Sequence, residues 1–167
     1  MSMQQPAAAR IPAPDRAALC ADLEATRRAF RDLVASVGEA GWHQPSAGTT
    51  WTKGQLLVHL ADALARLPTE LAHARRGRDY LNPPRPLLPL VPTIGWLMTW
   101  WSARGQTPAS TLARYEAAHG AALAAIATVG DDEWGLGANY FGEGYRTIVD
   151  LCRQPNSHFL EHAAQVG

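Results

Sequence analysis

Two histidines near the carboxyl end of the chain have the spacing of a metal-binding pair. His158 and His162 lie four residues apart in the segment HFLEHAAQV, residues 158–166. On a helix, side chains at this spacing have Cβ atoms about 5 to 6 Å apart, so two ring nitrogens can converge on one ion at about 2.0 to 2.1 Å. The spacing alone also fits ordinary polar residues near a helix end. A third ligand elsewhere in the chain would favour the metal site.

The apolar pattern of the last segment predicts that both histidines face inward. Ile148, Leu151, Pro155, His158 and His162 follow one another at steps of three or four residues, which places them on one stripe of a helix. An imidazole buried without a partner is unfavourable. Burial at both positions therefore favours bonded or metal-bound rings over polar surface residues.

A third histidine has a matching position on an earlier predicted helix. His59, in the segment QLLVHLADALARL, shares an inward stripe with Leu56 and Ala63. Three neutral imidazoles leave a divalent cation with its full charge and with open coordination positions, which is the arrangement of catalytic sites. The sequence therefore indicates a metal site built from two helices and completed by water, hydroxide or a thiolate.

Two helices are predicted in the first half of the chain. The first begins at Asp15, a suitable N-cap, and ends at Gly38. The second begins at Thr52, where a glutamine three residues later completes a capping-box pattern. Pro68 predicts a kink or a restart of this second helix, which ends near Gly77.

A long proline-rich connection, residues 78–106, separates these helices from the second half and contains a segment that could form a short helix. The third helix begins at Thr107 and ends at Gly130. Residues 135–146 predict a loop or a weak hairpin, and the fourth helix begins at Thr147. Four helices with a long crossover between the second and the third predict an all-α four-helix bundle.

Length, charge and cysteine content limit the classes of protein to which this chain can belong. The chain has 167 residues, and we predict one domain at residues 15–167 after a flexible N-terminal arm at residues 1–14. Lys plus Arg and Asp plus Glu both number 15, so no net charge favours a nucleic acid or a membrane surface as partner. The apolar segment 87–101 is shorter than the roughly 20 residues of a spanning helix. Cys20 and Cys152, without a CxxC pattern, favour reduced thiols and a cytoplasmic protein.

Three segments resemble the DinB-like family, which includes the N-terminal domain of mycothiol-dependent maleylpyruvate isomerase and related bacterial thiol S-transferases. WTKGQLLVHLAD, residues 51–62, is similar to the second-helix signature of the family. HFLEHAAQV is similar to its final-helix histidine pair with a trailing glutamine. TPASTLARYEAAHGAALAAIATVGDDEW, residues 107–134, is similar in character to its third helix and acidic turn. The resemblance covers most of the chain from Asp15 onward.

This resemblance implies an up-down-down-up bundle, a homodimer and a divalent metal ion at His59, His158 and His162, with zinc, nickel, iron and manganese as candidates. It further implies that a low-molecular-weight thiol, such as mycothiol or bacillithiol, is activated on the metal for S-transfer to a small-molecule substrate or for its isomerisation. A bound cation can deprotonate a coordinating thiol, which supplies a nucleophile at neutral pH.

Further polar residues are candidates for the surroundings of the site. Asp62 and Glu161 lie near the predicted ligands in the sequence and could orient a ligand ring, although a solvated helix face is the alternative for both. His119, on the third predicted helix, could be a fourth ligand or an acid/base group of the pocket; a hydrogen-bonded core histidine is the alternative. We expect His43 and His73 in loop and surface positions.

The connection carries an aromatic cluster of Trp96, Trp100 and Trp101 with Met98. These side chains could roof the metal pocket or form a dimer surface, but packing against the bundle is the first expectation. Trp96 and Trp100 have the spacing to share a helical face. Three arginines are candidate anchors for a substrate carboxylate: Arg104, Arg114 and Arg146.

The sequence leaves three functions open. The first is a metal-dependent transferase or isomerase that uses a small thiol. The second is a metal-dependent hydrolase, with hydroxide in place of thiolate. The third is a non-catalytic binding or stress-response module in which the histidines are structural. A cavity of about 300 Å³ or more beside the histidines is required by the two enzymes and separates them from the third function.

Overall fold

The computed structural model describes residues 12–81, 83–140 and 144–167, and these parts of the chain are mostly helical. The predicted N-terminal arm lies mostly outside the described residues, and its boundary at residue 15 stays a prediction. The described residues form five α-helices and one 3-10 helix, in the order α1 (Arg16–Gly41), α2 (Lys53–Arg75), the 3-10 helix (Arg85–Leu90), α3 (Val91–Ser102), α4 (Pro108–Ala127) and α5 (Ile148–Val166).

The third and fourth helices of the prediction are α4 and α5, and a short antiparallel sheet joins them. Strand β1 (Gly137–Asn139) pairs with β2 (Tyr145–Thr147), with Gly137 opposite Thr147. This confirms the weak hairpin predicted for residues 135–146. Thr147 ends the sheet and caps α5, so the hairpin leads directly into the helix that carries two of the candidate ligands.

Reciprocal hydrogen bonds fix the starts of three helices. The hydroxyl of Thr52 accepts a hydrogen bond from the backbone N–H of Gln55 at 3.2 Å, and the Gln55 side-chain oxygen accepts one from the Thr52 N–H at 2.9 Å. Capping boxes of the same kind begin α4 and α5, at Thr107 and Thr147. The predicted starts of all three helices are therefore confirmed, and each cap sets the register of the residues that follow it.

The end of α1 agrees with the prediction in part. Asp15 caps the helix as expected, by accepting hydrogen bonds from two backbone N–H groups. Gly38 interrupts the helix with φ 52° and ψ −170°, but a further turn follows and α1 ends at Gly41. Because glycine has no Cβ, it adopts this left-handed φ without the steric penalty that other residues pay. The glycine therefore ends the regular helix at the predicted position, and one short helical turn follows it.

The proline in α2 does not restart the helix. α2 is continuous from Lys53 to Arg75 with Pro68 inside it, and it ends two residues before the predicted end at Gly77. One helix therefore carries both His59 and the buried Glu70, and their relative positions are set by a single helical register.

Four helices bury their apolar stripes in one core. α2 packs against α4 and α5, and α1 packs against the same two helices. Phe30 of α1, Leu56 of α2, Ile126 of α4 and Ile148 of α5 are each 0% exposed. The burial of each stripe fixes the rotation of its helix, and this rotation decides where the polar residues at the edge of the stripe point.

α3 is the exception, because most of its apolar side chains are exposed. Thr99 is its one buried residue, whereas Leu97, Met98 and Trp101 are 54%, 62% and 68% exposed. Packing of this segment against the bundle, the first expectation from the sequence, is therefore wrong for most of α3. Trp96, at 39% exposure, belongs to the same exposed set.

Trp96 and Trp100 share one face of α3, as predicted. The rings of Trp96 and Trp100 are stacked, with centroids 6.4 Å apart. The guanidinium of Arg104 lies 4.0 Å from the centroid of the Trp100 ring, so a cation–π contact and not an ion pair holds this candidate anchor. Within the described residues, no helix is both long enough and apolar enough to span a lipid bilayer.

The start of α2 gives a test of the fold. A Cβ at Gly54 would lie 2.5 Å from the ring of Trp42, which is 4% exposed and donates a hydrogen bond to the Gln106 carbonyl at 3.0 Å. Because this ring has no room to move, we expect Gly54→Ala to lower the free energy of unfolding by about 1 to 3 kcal/mol, measured by urea denaturation. The control Gly120→Ala has open space at its Cβ and should add about 0.5 to 1 kcal/mol. Equal stability of the two variants would contradict the packing described at Gly54.

Candidate metal centre

The three predicted histidines meet between α2 and α5. His59 comes from α2, and His158 and His162 come from successive turns of α5. One ring nitrogen of each residue lies within 4.8 Å of the other two, and all three side chains are half-buried. The Nε2 atoms of His59 and His158 are 3.0 Å apart. We call these residues the histidine cluster.

Helix packing, and not a loop, positions the histidine cluster. The caps at Thr52 and Thr147 set the registers of α2 and α5, and the two helices pack along their buried stripes. The ring centroids of His158 and His162 are 4.5 Å apart, as expected for one helical turn. Trp51 lies beside His59, with ring centroids 4.9 Å apart, and so forms part of the wall of the cluster.

The separation of the nitrogens fits a bound cation. Two imidazole nitrogens bound to one cation at about 2.0 to 2.1 Å, with an angle of about 90° to 109° at the cation, lie roughly 2.9 to 3.4 Å apart. The 3.0 Å between the Nε2 atoms of His59 and His158 lies in this range. The described residues therefore place three nitrogen donors, of the type that zinc and other first-row metals accept, close enough for one ion.

The environment keeps two of the rings uncharged. Burial, followed by the nearby His158, His162 and Arg66, lowers the pKa of His59 to about 3. Burial, followed by His162 and Arg66, lowers the pKa of His158 to about 4. Both rings are therefore neutral at pH 7, and each can offer a lone pair to an ion without first losing a proton.

The other ring nitrogens have partners that the sequence did not single out. Nδ1 of His162 lies 2.7 Å from the side-chain oxygen of Gln165, and Nδ1 of His59 lies 3.3 Å from the hydroxyl of Thr99. A hydrogen bond from Nδ1–H to such an oxygen fixes the tautomer and leaves Nε2 as the donor to a metal. Gln165 follows His162 by three residues on the same helix face, so its role had a signal in the sequence. The role of Thr99 had no signal in the sequence, because this residue lies in the crossover.

The predicted orienting residues have other roles. The Asp62 carboxylate accepts a hydrogen bond from Ser102 at 2.6 Å and forms an ion pair with Arg114 at 2.6 Å. It therefore joins α2 to the end of α3 and to α4, and no hydrogen bond links it to the histidine cluster. Glu161 is exposed on α5, which agrees with the solvated face weighed for it. Its side chain lies on the wall of a cleft beside His162.

The remaining histidines lie outside the cluster. His119 is 6% exposed on α4 and its Nε2 is 3.6 Å from the Glu24 carboxylate of α1, which matches the core position weighed for it and not a fourth ligand. Burial lowers its pKa, and the Glu24 carboxylate opposes this effect. His43 is exposed in the loop after α1, as expected. His73 is half-buried near the end of α2 and contacts the ring of Tyr80.

Two clefts of opposite character adjoin the histidine cluster. The larger, about 930 Å³, lies between α2 and α3 and includes His59 in its wall; we call it the apolar groove because most of its wall is apolar. The second, about 490 Å³, lies along α5 and includes His158 and His162; we call it the polar cleft because charged and polar side chains line it. Both exceed the size that a substrate site requires.

The candidate arginines divide between these clefts. Arg114 lies on the wall of the apolar groove but is already paired with Asp62. Arg146 lies on the wall of the polar cleft, together with Arg153. The polar cleft therefore has two guanidinium groups within the same wall as two of the histidines, and guanidinium groups bind carboxylates well.

A smaller cavity of about 170 Å³ reaches from His59 and His158 to a buried carboxyl. Glu70, 3% exposed, accepts a hydrogen bond from the Tyr140 hydroxyl at 2.7 Å, and Arg66 lies 3.7 Å away. The sequence reasoning missed Glu70, although it follows His59 by eleven residues, about three helical turns on the same face of α2.

Metal content tests the histidine cluster. We expect the purified protein to bind one divalent cation per chain, with zinc as the probe ion, measured by elemental analysis and by calorimetric titration. Loss of a hydrogen-bond partner of a metal ligand weakens metal binding roughly 10- to 100-fold. His158→Ala and His162→Ala each remove a ligand itself, so they should weaken zinc binding by more than this. His43→Ala and His73→Ala remove a histidine outside the cluster and should bind zinc as the wild type does. Equal zinc affinity in all four variants would disprove the site.

The Glu70 carboxyl gives a prediction about pH. Burial raises the pKa of Glu70 above its ordinary value of 4.5, while the Tyr140 hydrogen bond and the charge of Arg66 act in the opposite direction. A carboxyl with a raised pKa in the folded state is costly when ionised, so its contribution to stability declines as the pH rises above 4.5. The nearby Tyr80 has a raised pKa as well and does not ionise in this window.

Glu70→Gln keeps an acceptor for the Tyr140 hydroxyl but cannot ionise. The free energy of unfolding of this variant, relative to wild type, should therefore increase as the pH rises above 4.5, as measured by urea denaturation at several pH values. Glu39→Gln, at an exposed position of α1, controls for the loss of one negative charge. A stability difference for Glu70→Gln that stays constant with pH would contradict the prediction.

Comparison with known proteins agrees with the resemblance found in the sequence. A family model described as the DinB superfamily matches residues 22–166. This range includes α2, α4 and α5 in full, and with them the histidine cluster. No curated protein and no solved structure gives a significant match. Because the family model covers most of the chain, the protein belongs to the DinB superfamily.

Proposed function

We propose that the protein is a metal-dependent enzyme that uses a low-molecular-weight thiol to transfer a group to, or to isomerise, a small-molecule substrate. The histidine cluster carries this proposal, because three nitrogen donors lie within 4.8 Å of one another at the boundary of two clefts. His59, His158 and His162 would hold the ion and leave positions open toward these clefts. A divalent cation bound there lowers the pKa of a coordinated thiol and so supplies a thiolate at neutral pH.

The residues of the chain prepare the site in two ways. Gln165 and Thr99 hold the Nδ1 atoms of His162 and His59, so that Nε2 of each ring faces the cluster. Burial keeps His59 and His158 neutral, so these rings do not have to release a proton when an ion binds. Both effects favour ion binding near neutral pH.

We infer that the polar cleft receives the thiol. Small bacterial thiols of the mycothiol and bacillithiol type carry several hydroxyl and charged groups, and these groups suit a wall of charged and polar side chains. Arg146 and Arg153 lie in this wall with His158 and His162. Guanidinium groups there would bind a carboxylate of the thiol and bring its sulfur toward the cluster.

We also propose an up-down-down-up order of the four long helices and a homodimer. The connection from Arg76 to Thr107 includes the 3-10 helix and α3, and this length supports a crossover that lets α2 and α4 run parallel. Leu87, Leu90 and Ile94 are 47%, 51% and 51% exposed, and a second copy would cover them. The proposal also includes one domain from residue 15 to residue 167, a cytoplasmic location and the lack of nucleic-acid or membrane partners.

Conjugation of a thiol to monochlorobimane tests this function. The thiol sulfur displaces chloride from the probe, and fluorescence reports the product. We expect the zinc-loaded protein to accelerate this reaction with at least one thiol among cysteine, coenzyme A, glutathione, mycothiol and bacillithiol. His162→Ala should reduce the rate to nearly that of the uncatalysed reaction, whereas His73→Ala should keep the wild-type rate.

A second assay, hydrolysis of an ester without thiol, separates the alternatives. Hydrolysis of 4-nitrophenyl acetate without thiol, dependent on His162, would support the metal-dependent hydrolase and contradict thiol transfer. A protein that binds zinc but accelerates neither reaction would support the non-catalytic module.

A further inference from the structure

We propose that the apolar groove binds the uncharged, apolar arm of a small organic substrate whose reactive end reaches the histidine cluster. The groove lies between α2 and α3. The proposal names the substrate class of the site described above, and in this respect it rests on the proposed function. Its occupant is an aromatic or aliphatic small molecule and not a protein segment.

The groove extends from the cluster to the exposed part of α3. His59 and Thr99 form its inner end, where the Thr99 hydroxyl is 3.3 Å from Nδ1 of His59. Leu97, Met98 and Trp101 of α3 line the outer part and are the most exposed apolar side chains of that helix. An apolar molecule in the groove would remove these side chains from water, which favours binding.

The charged groups of the groove are already paired with one another. The Asp62 carboxylate binds Arg114 at 2.6 Å and accepts a hydrogen bond from Ser102 at 2.6 Å. Arg66 lies 3.7 Å from the Glu70 carboxylate. Both arginines of the groove wall therefore already have a carboxylate partner, and neither is left unpaired for an acidic ligand. An uncharged arm therefore fits it better than an acid or an amine.

The size of the groove and its contact with His59 favour a small molecule as its occupant. A volume of about 930 Å³ lies within the range of small-molecule sites. Reach from an apolar surface to a candidate metal centre is the property expected of a substrate site.

Two positions in the groove allow it to be filled without disturbing the core. Ala65 of α2 and Gly95 of α3 line the groove and are exposed, and a Cβ at Gly95 meets nothing within 4 Å. Ala65→Leu and Gly95→Leu should therefore fold and place a side chain in the space of the substrate arm. Ala117→Leu and Gly120→Leu, at exposed positions of α4 that do not line the groove, are matched controls.

Hydroxamates of different size provide the test, because the hydroxamate group binds the metal and its substituent explores the groove. For the zinc-loaded wild type, we expect naphthalene-2-hydroxamate to bind at least about tenfold more tightly than acetohydroxamate in calorimetric titration, since the ring surface leaves water. Ala65→Leu and Gly95→Leu should reduce this ratio toward one without changing acetohydroxamate affinity. The two controls should keep the wild-type ratio.

Several results would overturn the proposal. One is a wild-type ratio of the two hydroxamate affinities close to one. Another is a ratio that stays at the wild-type value in both groove variants. Either result would mean that the apolar arm binds elsewhere or not at all. A ratio near one together with a dimer that Ala65→Leu or Gly95→Leu dissociates would assign the groove to a second copy of the chain.

A second measurement separates the groove from the metal site. If acetohydroxamate itself does not bind, the proposed function fails, but the groove can still be tested in the metal-free protein with naphthalene-2-carboxamide by ligand-observed NMR. Binding to the wild type and to both controls, with loss in both groove variants, would support the groove. Equal signals from all five proteins, or none from the wild type, would disprove it.

Discussion

The packing of α2 against α5 is the constraint on which the site depends. It holds the Nε2 atoms of His59 and His158 3.0 Å apart in a half-buried position, where burial and mutual repulsion keep the rings from carrying protons. Two neutral rings this close avoid repulsion between their lone pairs in one of three ways: they share a proton, they bind an ion, or they move apart. Both helices are fixed by caps and by the core, so the backbone positions of the histidines are fixed as well. The fold therefore holds the three rings where they could bind a cation.

The parts of this arrangement that the sequence predicted depend on local interactions. A capping box involves residues three positions apart, so the starts of α2 and α5 were visible in the order of Thr52, Gln55 and Thr147. Hydrophobic periodicity then placed His59 and the histidine pair on inward faces. The helix starts and the meeting of the three histidines were thus predictable from the sequence.

The parts that could not be predicted depend on contacts between distant segments. Asp62 was a candidate for orienting a ligand ring, with a solvated helix face as the alternative, but it binds Ser102, which is 40 residues away in the sequence. The Thr99 hydroxyl beside His59 is also separated from it by 40 residues. Both contacts depend on where the crossover lies relative to α2. A proline-rich connection has no hydrophobic periodicity, so its position cannot be predicted from the sequence. The same reason explains the exposed face of α3.

For the proposed function, the two clefts that adjoin the histidine cluster suit a reaction with two organic reactants. Hydrolysis needs one organic substrate, because water requires no cleft of its own. A group transfer from a hydrophilic thiol to an apolar acceptor needs two sites of different polarity that meet at one reactive centre. The polar cleft beside His162 and the apolar groove beside His59 have this relation. The division of polarity, more than the ligand set, therefore supports thiol transfer over hydrolysis, since both reactions would use the same three histidines.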